Sequence, residues 1–216
     1  LHSMGSYTEA RSLYERSLAI LEKASGPEHL DVAISLNNLS LLLQDMGSYA
    51  EARPLCERAL TIFEKTHGPE HPDVAGALNN LAIILSAQGA HAEARPLVER
   101  SVAIKEKILG PEHPDVAKSL NSLASLLMAQ GTYSEARSLW ERAIGISEKA
   151  LGPEHPEVAI ALNNLAALFV AQGSYAEARS LLERSLAISE TARGPEHPDV
   201  ALALHNLGGL LYFPGF

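Results

Sequence analysis

The sequence predicts an all-α solenoid built from antiparallel helix pairs, and three observations carry that prediction. The segment GPEHPDVA begins at Gly68, Gly110 and Gly194, with the variants GPEHPEVA at Gly152 and GPEHLDVA at Gly26, so the block returns every 42 residues without insertion. Proline and glycine recur within it at positions suited to starting and stopping helices. Between these marks the chain is rich in Ala and Leu, which favour helix.

The elements follow in order from one unit. Helix A begins after GPEH, with Pro72, Pro114, Pro156 and Pro198 at the first helical position and Asp73, Asp115, Glu157 and Asp199 next to it. A missing N–H costs nothing at that position, and the positive helix end favours a carboxylate. Leu36, Leu39, Ser40 and Leu43 fall on one helical face. Gly47 has the right chemistry to end the helix. Helix B follows at once. Ser48/Glu51, Ser6/Glu9, Thr132/Glu135 and Ser174/Glu177 have the spacing of a capping box, which Ala90 interrupts. Ala52, Leu55, Cys56, Ala59, Leu60 and Phe63 supply its buried stripe, and Gly68-Pro69 ends it. Pro54 and Pro96 should bend helix B or make its start irregular. One pair cannot bury its own apolar face, so the pairs must stack. The resulting division is a single array: a partial first unit 1–26, units 27–68, 69–110, 111–152 and 153–194, and a terminal helix 195–216.

The pattern resembles the tetratricopeptide repeat (TPR). Leu36, Leu39, Ser40, Gly47, Tyr49, Ala52 and Ala59 fill its characteristic slots, and Ala82, Ala124, Ala166 and Gly208 repeat the small residue of Ser40. The long unit, with its HPDVA and LNNLA blocks and the stretch Ala59-Leu60-Thr61-Ile62-Phe63-Glu64-Lys65, is similar to the kinesin light chain type. The resemblance implies a right-handed superhelix and a scaffold that binds an extended peptide segment in its concave groove. The alternative is a structural spacer or self-association arm of a larger signalling protein.

In such an array the side of helix A opposite Leu36 lines the groove. Helical geometry puts Ile34, Asn37, Asn38, Leu41 and Asp45 there. The equivalents are Gly76, Asn79, Asn80, Ile83 and Ala87, then Lys118, Asn121, Ser122, Ser125 and Ala129. Ile160, Asn163, Asn164, Ala167 and Ala171 follow, and Leu202, His205, Asn206, Gly209 and Phe213 close the series. The candidate peptide-binding residues are therefore Asn37, Asn38, Asn79, Asn80, Lys118, Asn121, Asn163, Asn164, His205 and Asn206. A carboxamide donates and accepts, so a ladder of them can bond a peptide backbone whatever its sequence. The same groups could instead bond a neighbouring helix. Lys118 is the one basic residue on this face, so a strongly acidic partner is not expected.

Composition excludes other classes. The net charge is −9 with no isolated basic cluster, which argues against nucleic acid. No apolar run is long enough to span a bilayer, and no secretory signal opens the chain, so a cytoplasmic location is expected. The single cysteine, Cys56, occupies a core position held elsewhere by Tyr14, Val98, Trp140 and Leu182. No nucleophile–base arrangement or phosphate loop is visible, so neither an enzyme nor a cofactor is expected. No metal is expected either. His29, His71, His113, His155 and His197 lie a full unit apart, which suits helix starts, and Gly68-Pro69 denies His67 and His71 a common helical face. Arg53/Glu57, Arg95/Glu99, Arg137/Glu141 and Arg179/Glu183 read as a solvated face.

The ends fall mid-unit. Leu1-His2-Ser3-Met4-Gly5 aligns with the end of a helix A, and Gly215 falls on the register of Gly173. The last helix is apolar nearly all round. Leu210, Leu211, Tyr212 and Phe213 are expected to pack against a second copy or another protein.

Overall fold

The chain is helical wherever the proline and glycine marks allow. The computed structural model describes residues 2–212, with side chains from residue 6 onward. Ten helices and no strand occur among the described residues: α1 (His2–Ser25), α2 (Leu30–Asp45), α3 (Tyr49–His67), α4 (Pro72–Ala87), α5 (His91–Leu109), α6 (Pro114–Ala129), α7 (Tyr133–Leu151), α8 (Pro156–Ala171), α9 (Tyr175–Arg193) and α10 (Pro198–Tyr212). The even-numbered helices are the A helices of the repeat and the odd-numbered ones the B helices. The fold class is the expected all-α, TPR-like one.

Two compact units are present, one ending at Ile108 and the other beginning at Leu109. In the first, α2 packs on α3 and α3 on α4 around Val32, Leu36, Ile62, Phe63, Val74, Leu78 and Ile104. In the second, α6 packs on α7 and α8 on α9, with Val158, Leu162 and Ile188 in one buried cluster.

Both turns of the repeat satisfy their orphan backbone groups locally. After α2, Gly47 takes φ +74°, a left-handed value that a side chain would disfavour. Its N–H donates to Gln44 O at 2.9 Å, and Ser48 N–H donates to Leu43 O at 2.8 Å. That pair of bonds is a Schellman turn, and it recurs at Gly89, Gly131 and Gly173. It leaves three residues to reverse the chain, so A and B run antiparallel. At the other turn Gly68 N–H donates to Glu64 O at 3.0 Å. His71 then caps α4, its Nδ1 accepting the Asp73 N–H at 3.2 Å. His29, His113, His155 and His197 do the same for α2, α6, α8 and α10.

Three expectations need correcting. Ser48, Thr132 and Ser174 stand at the N-cap but make no side-chain capping bond, because their N–H groups close the Schellman turn and their φ/ψ lies outside the extended region. The residue's backbone, and not its hydroxyl, is what the turn requires, so α5 starts after Ala90 in the same register. Gly5 does not end a helix: α1 runs continuously from His2. Pro54 and Pro96 leave the helix starts regular, inside 19-residue helices in the register of α7 and α9, which have no proline. Each frees one carbonyl, that of Ala50 or Ala92, at an exposed first turn where water can bond it.

At the opposite end, Leu210 is buried within its own unit at 1 % exposure, so it is not held in reserve for a partner. Leu211 and Tyr212 are exposed, while Phe213 and Gly215 lie outside the described residues, as does Leu1.

Cys56 is fully buried in α3. Burial pushes its thiol up from 9.0 to about 12, and a hydrogen bond with Ser40 opposes this more weakly. A native pKa above the unfolded one stabilises the fold below pH 9.0, and the benefit is lost as the pH climbs toward about 12. Iodoacetamide should therefore leave Cys56 unmodified in native protein near neutral pH and alkylate it fully in denaturant, as mass spectrometry would read.

Candidate functional site

Each A helix presents a solvent-facing stripe, and its composition follows from the repeat. Each also buries one broad face, which Val116, Ala117, Leu120, Leu123, Ala124 and Leu127 supply in α6. Lys118, Ser125 and Ala129 remain exposed in α6, Ile160, Ala167 and Ala171 in α8, and Leu202, His205 and Gly209 in α10. In the first unit Ile34 is exposed, while Leu41, Gly76 and Ile83 are half-buried. These positions are the stripe that helical geometry anticipates.

The carboxamides lie at the edge of this stripe and are half-buried: Asn37, Asn38, Asn79, Asn80, Asn121, Asn163, Asn164 and Asn206. Several reach to the neighbouring A helix. Asn80 Nδ2 donates to Asn37 Oδ1 at 3.1 Å. In the second unit Asn164 donates to Asn121 Oδ1 at 3.0 Å, and Asn206 donates to Asn163 Oδ1 at 2.8 Å. Asn121 Oδ1 also accepts the indole N–H of Trp140 at 2.8 Å. Asn79 Oδ1 is buried with no hydrogen-bond partner among the described residues. Part of the carboxamide capacity thus joins one A helix to the next, and the remaining donors and acceptors stay at the stripe.

The lining is uncharged apart from a few groups. Lys118 lies 3.3 Å from Asp115 on the same helix, which offsets its charge. Asn163, His205 and Asn206 come together around a cavity of about 200 Å³, with Ala167, Gly209 and Leu210. A smaller one of about 70 Å³ is bounded by Ile160, Asn163, Asn164, Asp199 and Leu202. Asn38 lines a third, of about 300 Å³, with Tyr14, Asp31 and Ile34.

Helix B carries ion pairs that bridge units as well as turns. Arg53 pairs with Glu57 at 2.7 Å and with Glu93 at 3.0 Å, and Arg11 pairs with Glu15 at 2.8 Å and with Glu51 at 2.7 Å. The hydrogen bonds they donate to these carboxylates hold both guanidinium pKa values above the ordinary one. Arg58 reaches Glu22 at 2.6 Å and the Pro27 carbonyl at 2.8 Å, and Arg100 does the same to Glu64 and Pro69. The helical i,i+4 pairs were legible from spacing, but the partners in the next unit were not.

One juxtaposition departs from expectation. The Gly68–Glu70 turn folds His71 back on His67, with ring centroids 4.0 Å apart, although no single helix carries both.

Comparisons place this geometry among known folds. The tetratricopeptide repeat family profile matches residues 1–45, 31–107, 73–127, 115–191 and 160–215. No curated protein matches the sequence. A kinesin light chain-like protein of nearly identical TPR-like repeats from Podosopora anserina is similar at 34 % identity, over 88 % of this chain and 90 % of that one, with a TM-score of 0.73. A second structure of such repeats from that organism gives 35 % identity over 88 % and 91 %, with a TM-score of 0.70. BtubC (BKLC) from P. vanneervenii shares the fold at 22 % identity, over 95 % of this chain and 80 % of that one, with a TM-score of 0.72.

The Asn121 network has a measurable consequence. Replacing Asn121 with Ala strands the buried indole N–H of Trp140, which is 1 % exposed, and removes the acceptor of Asn164. A loss of about 1–3 kcal/mol should follow, read as a lower urea midpoint followed through the fluorescence of the single tryptophan.

Proposed function

The chain belongs to the tetratricopeptide repeat family, and on that footing we propose that it binds an extended, non-acidic segment of another protein along the stripe of its A helices. The family and the kinesin light chain-like neighbours support a protein–protein interaction scaffold without catalysis. The carrying observation is the stripe itself, where small and apolar side chains leave room beside carboxamides that keep unused donors and acceptors. A peptide needs both, side-chain space and backbone partners. The charge selects the ligand. Lys118 is offset by Asp115, and Asp31 and Asp199 line two of the cavities. An acidic segment would meet repulsion, and a neutral, apolar or basic one would not.

The Asn37 series is a poor place to test this, because Ala there also breaks helix-to-helix bonds. Ala167 is exposed, lines the cavity beside Asn163 and His205, and has no polar partner to lose. Fluorescein-labelled extended peptides of basic, neutral-apolar and acidic composition, titrated by anisotropy, give the test. Ala167→Trp should weaken the best binder by about tenfold or more, or ~1.4 kcal/mol, with unchanged helicity. Unchanged affinity, or tightest binding by the acidic peptide, removes this reading.

A second reading rests on α10. Leu204, Leu211 and Tyr212 are 50 %, 48 % and 90 % exposed, an apolar surface that self-association would cover. Light scattering after size exclusion should then show a mass that rises with concentration without added ligand. Leu211→Glu should abolish that rise, and a monomer at every concentration rejects this second reading.

A further inference from the structure

We propose that His67, His71 and Asp73 form a site for a zinc-class divalent cation at the α3–α4 turn. Their candidate ligand atoms all lie within 4.8 Å of one another. Asp73 Oδ2 is 3.2 Å from His67 Nδ1 and 3.3 Å from His71 Nδ1. Ligands about 2.0–2.1 Å from a tetrahedral ion stand roughly 3.3 Å apart, so two edges of the coordination figure are already at length. Two imidazoles and one carboxylate leave a fourth position for water, and that donor set suits zinc, cobalt or nickel better than calcium or magnesium.

The second observation is that His67 Nδ1 is buried and that its 3.2 Å contact with the Asp73 carboxylate lacks hydrogen-bond geometry. A buried ring nitrogen in that state carries an unmet cost, and a metal ion would satisfy it. The ring is held in place. It stacks on Phe63 at 6.5 Å and 15°, and Phe63 is itself 4 % exposed. The intervening turn is pinned as well, by Arg100 on the Pro69 carbonyl at 2.9 Å and by Lys107 on Glu70. Ligands fixed before the ion arrives lose little freedom on binding it.

The site is peculiar to this turn. The positions equivalent to His67 are Ser25, Leu109, Leu151 and Arg193. Arg193 pairs with Asp199 at 3.1 Å, so a fixed cation fills that slot in the last unit. At the α3–α4 turn the slot holds an imidazole, able to bind an ion together with its neighbour. Coordination through His71 Nδ1 displaces the N-cap bond from Asp73 N–H. The remaining capping histidines bring no second imidazole with them.

Isothermal titration of the whole chain with Zn²⁺ in a non-chelating buffer tests the proposal, with Co²⁺ absorbance reporting the ligand geometry. One equivalent should bind, raise the melting temperature, and give the visible bands of a tetrahedral cobalt site. His67→Leu, which installs the residue found at 109 and 151, should weaken that binding at least tenfold while the chain stays helical. Asp73→Asn should weaken it as well, and His113→Ala should not. Equal zinc affinity in wild type and His67→Leu, or no saturable binding to wild type, overturns it. In the latter case His67 serves only as a partner to the Asp73 carboxylate, as Arg193 does to Asp199.

Discussion

A helix pair of this length cannot bury its own apolar surface, and nearly every other feature answers that constraint. The broad buried face of an A helix such as α4 meets more than its own B helix can cover, so it needs the helices of a neighbouring repeat as well. Val74, Ala75, Leu78 and Leu81 in α4 are each at most 5 % exposed. Truncating such a leucine would cost about 2–5 kcal/mol, far more than any surface contact supplies. The three-residue Schellman turn follows from the same need: a longer connection would let the pair splay and open that layer. Glycine with positive φ is therefore a requirement at Gly47 and its equivalents, where the chain must reverse without leaving carbonyls unpaired.

The 42-residue spacing has a second consequence. Because the repeats share one geometry, a side chain that reaches its neighbour in one repeat can do so again where the partner residue recurs. Arg58 and Arg100 thus make identical bonds to the preceding turn and helix B, and Arg184 makes them in the second unit. Exposed ion pairs of this kind are individually weak. Their effect is on register, since only one sliding position of two helix pairs satisfies the carboxylate and the carbonyl together. Ser101 and Ser185 play a related part in the core, each donating a buried hydroxyl hydrogen to an A-helix carbonyl, at 2.7 and 2.8 Å.

Local rules were readable in the sequence because they act within a few residues. Pro72 at the first turn, His71 before it, Gly47 after α2 and the exposed stripe through Ile34 all follow from helical periodicity and terminal chemistry. What the sequence hid was of two kinds. Some partners are set by how units stack, such as Asn80 with Asn37 or Arg53 with Glu93, and spacing within one helix says nothing about them. Others depend on the path of a turn. His67 and His71 share no helical face, yet the turn through Gly68, at φ +86°, and Pro69 brings the rings together. The serine N-caps failed for a subtler reason: a residue whose N–H must close one helix is held in a conformation from which its hydroxyl does not cap the next.

The carboxamides show why the exposed stripe and the stacking surface cannot be assigned to separate residues. An Asn side chain offers two donors and an acceptor with two lone pairs. Asn37 gives its oxygen to Asn80, and Asn121 gives its oxygen to both Asn164 and Trp140, which uses the acceptor fully. What Asn121 can still present to a ligand is its N–H₂ group, and what Asn164 can still present is its carbonyl oxygen. Successive A helices therefore offer a donor beside an acceptor along the edge of the stripe, with the orientation of each amide fixed by its neighbour. An extended peptide backbone alternates N–H and C=O in the same manner. The bonds that set the helices in register thus also orient the groups that a peptide would meet under the proposed function.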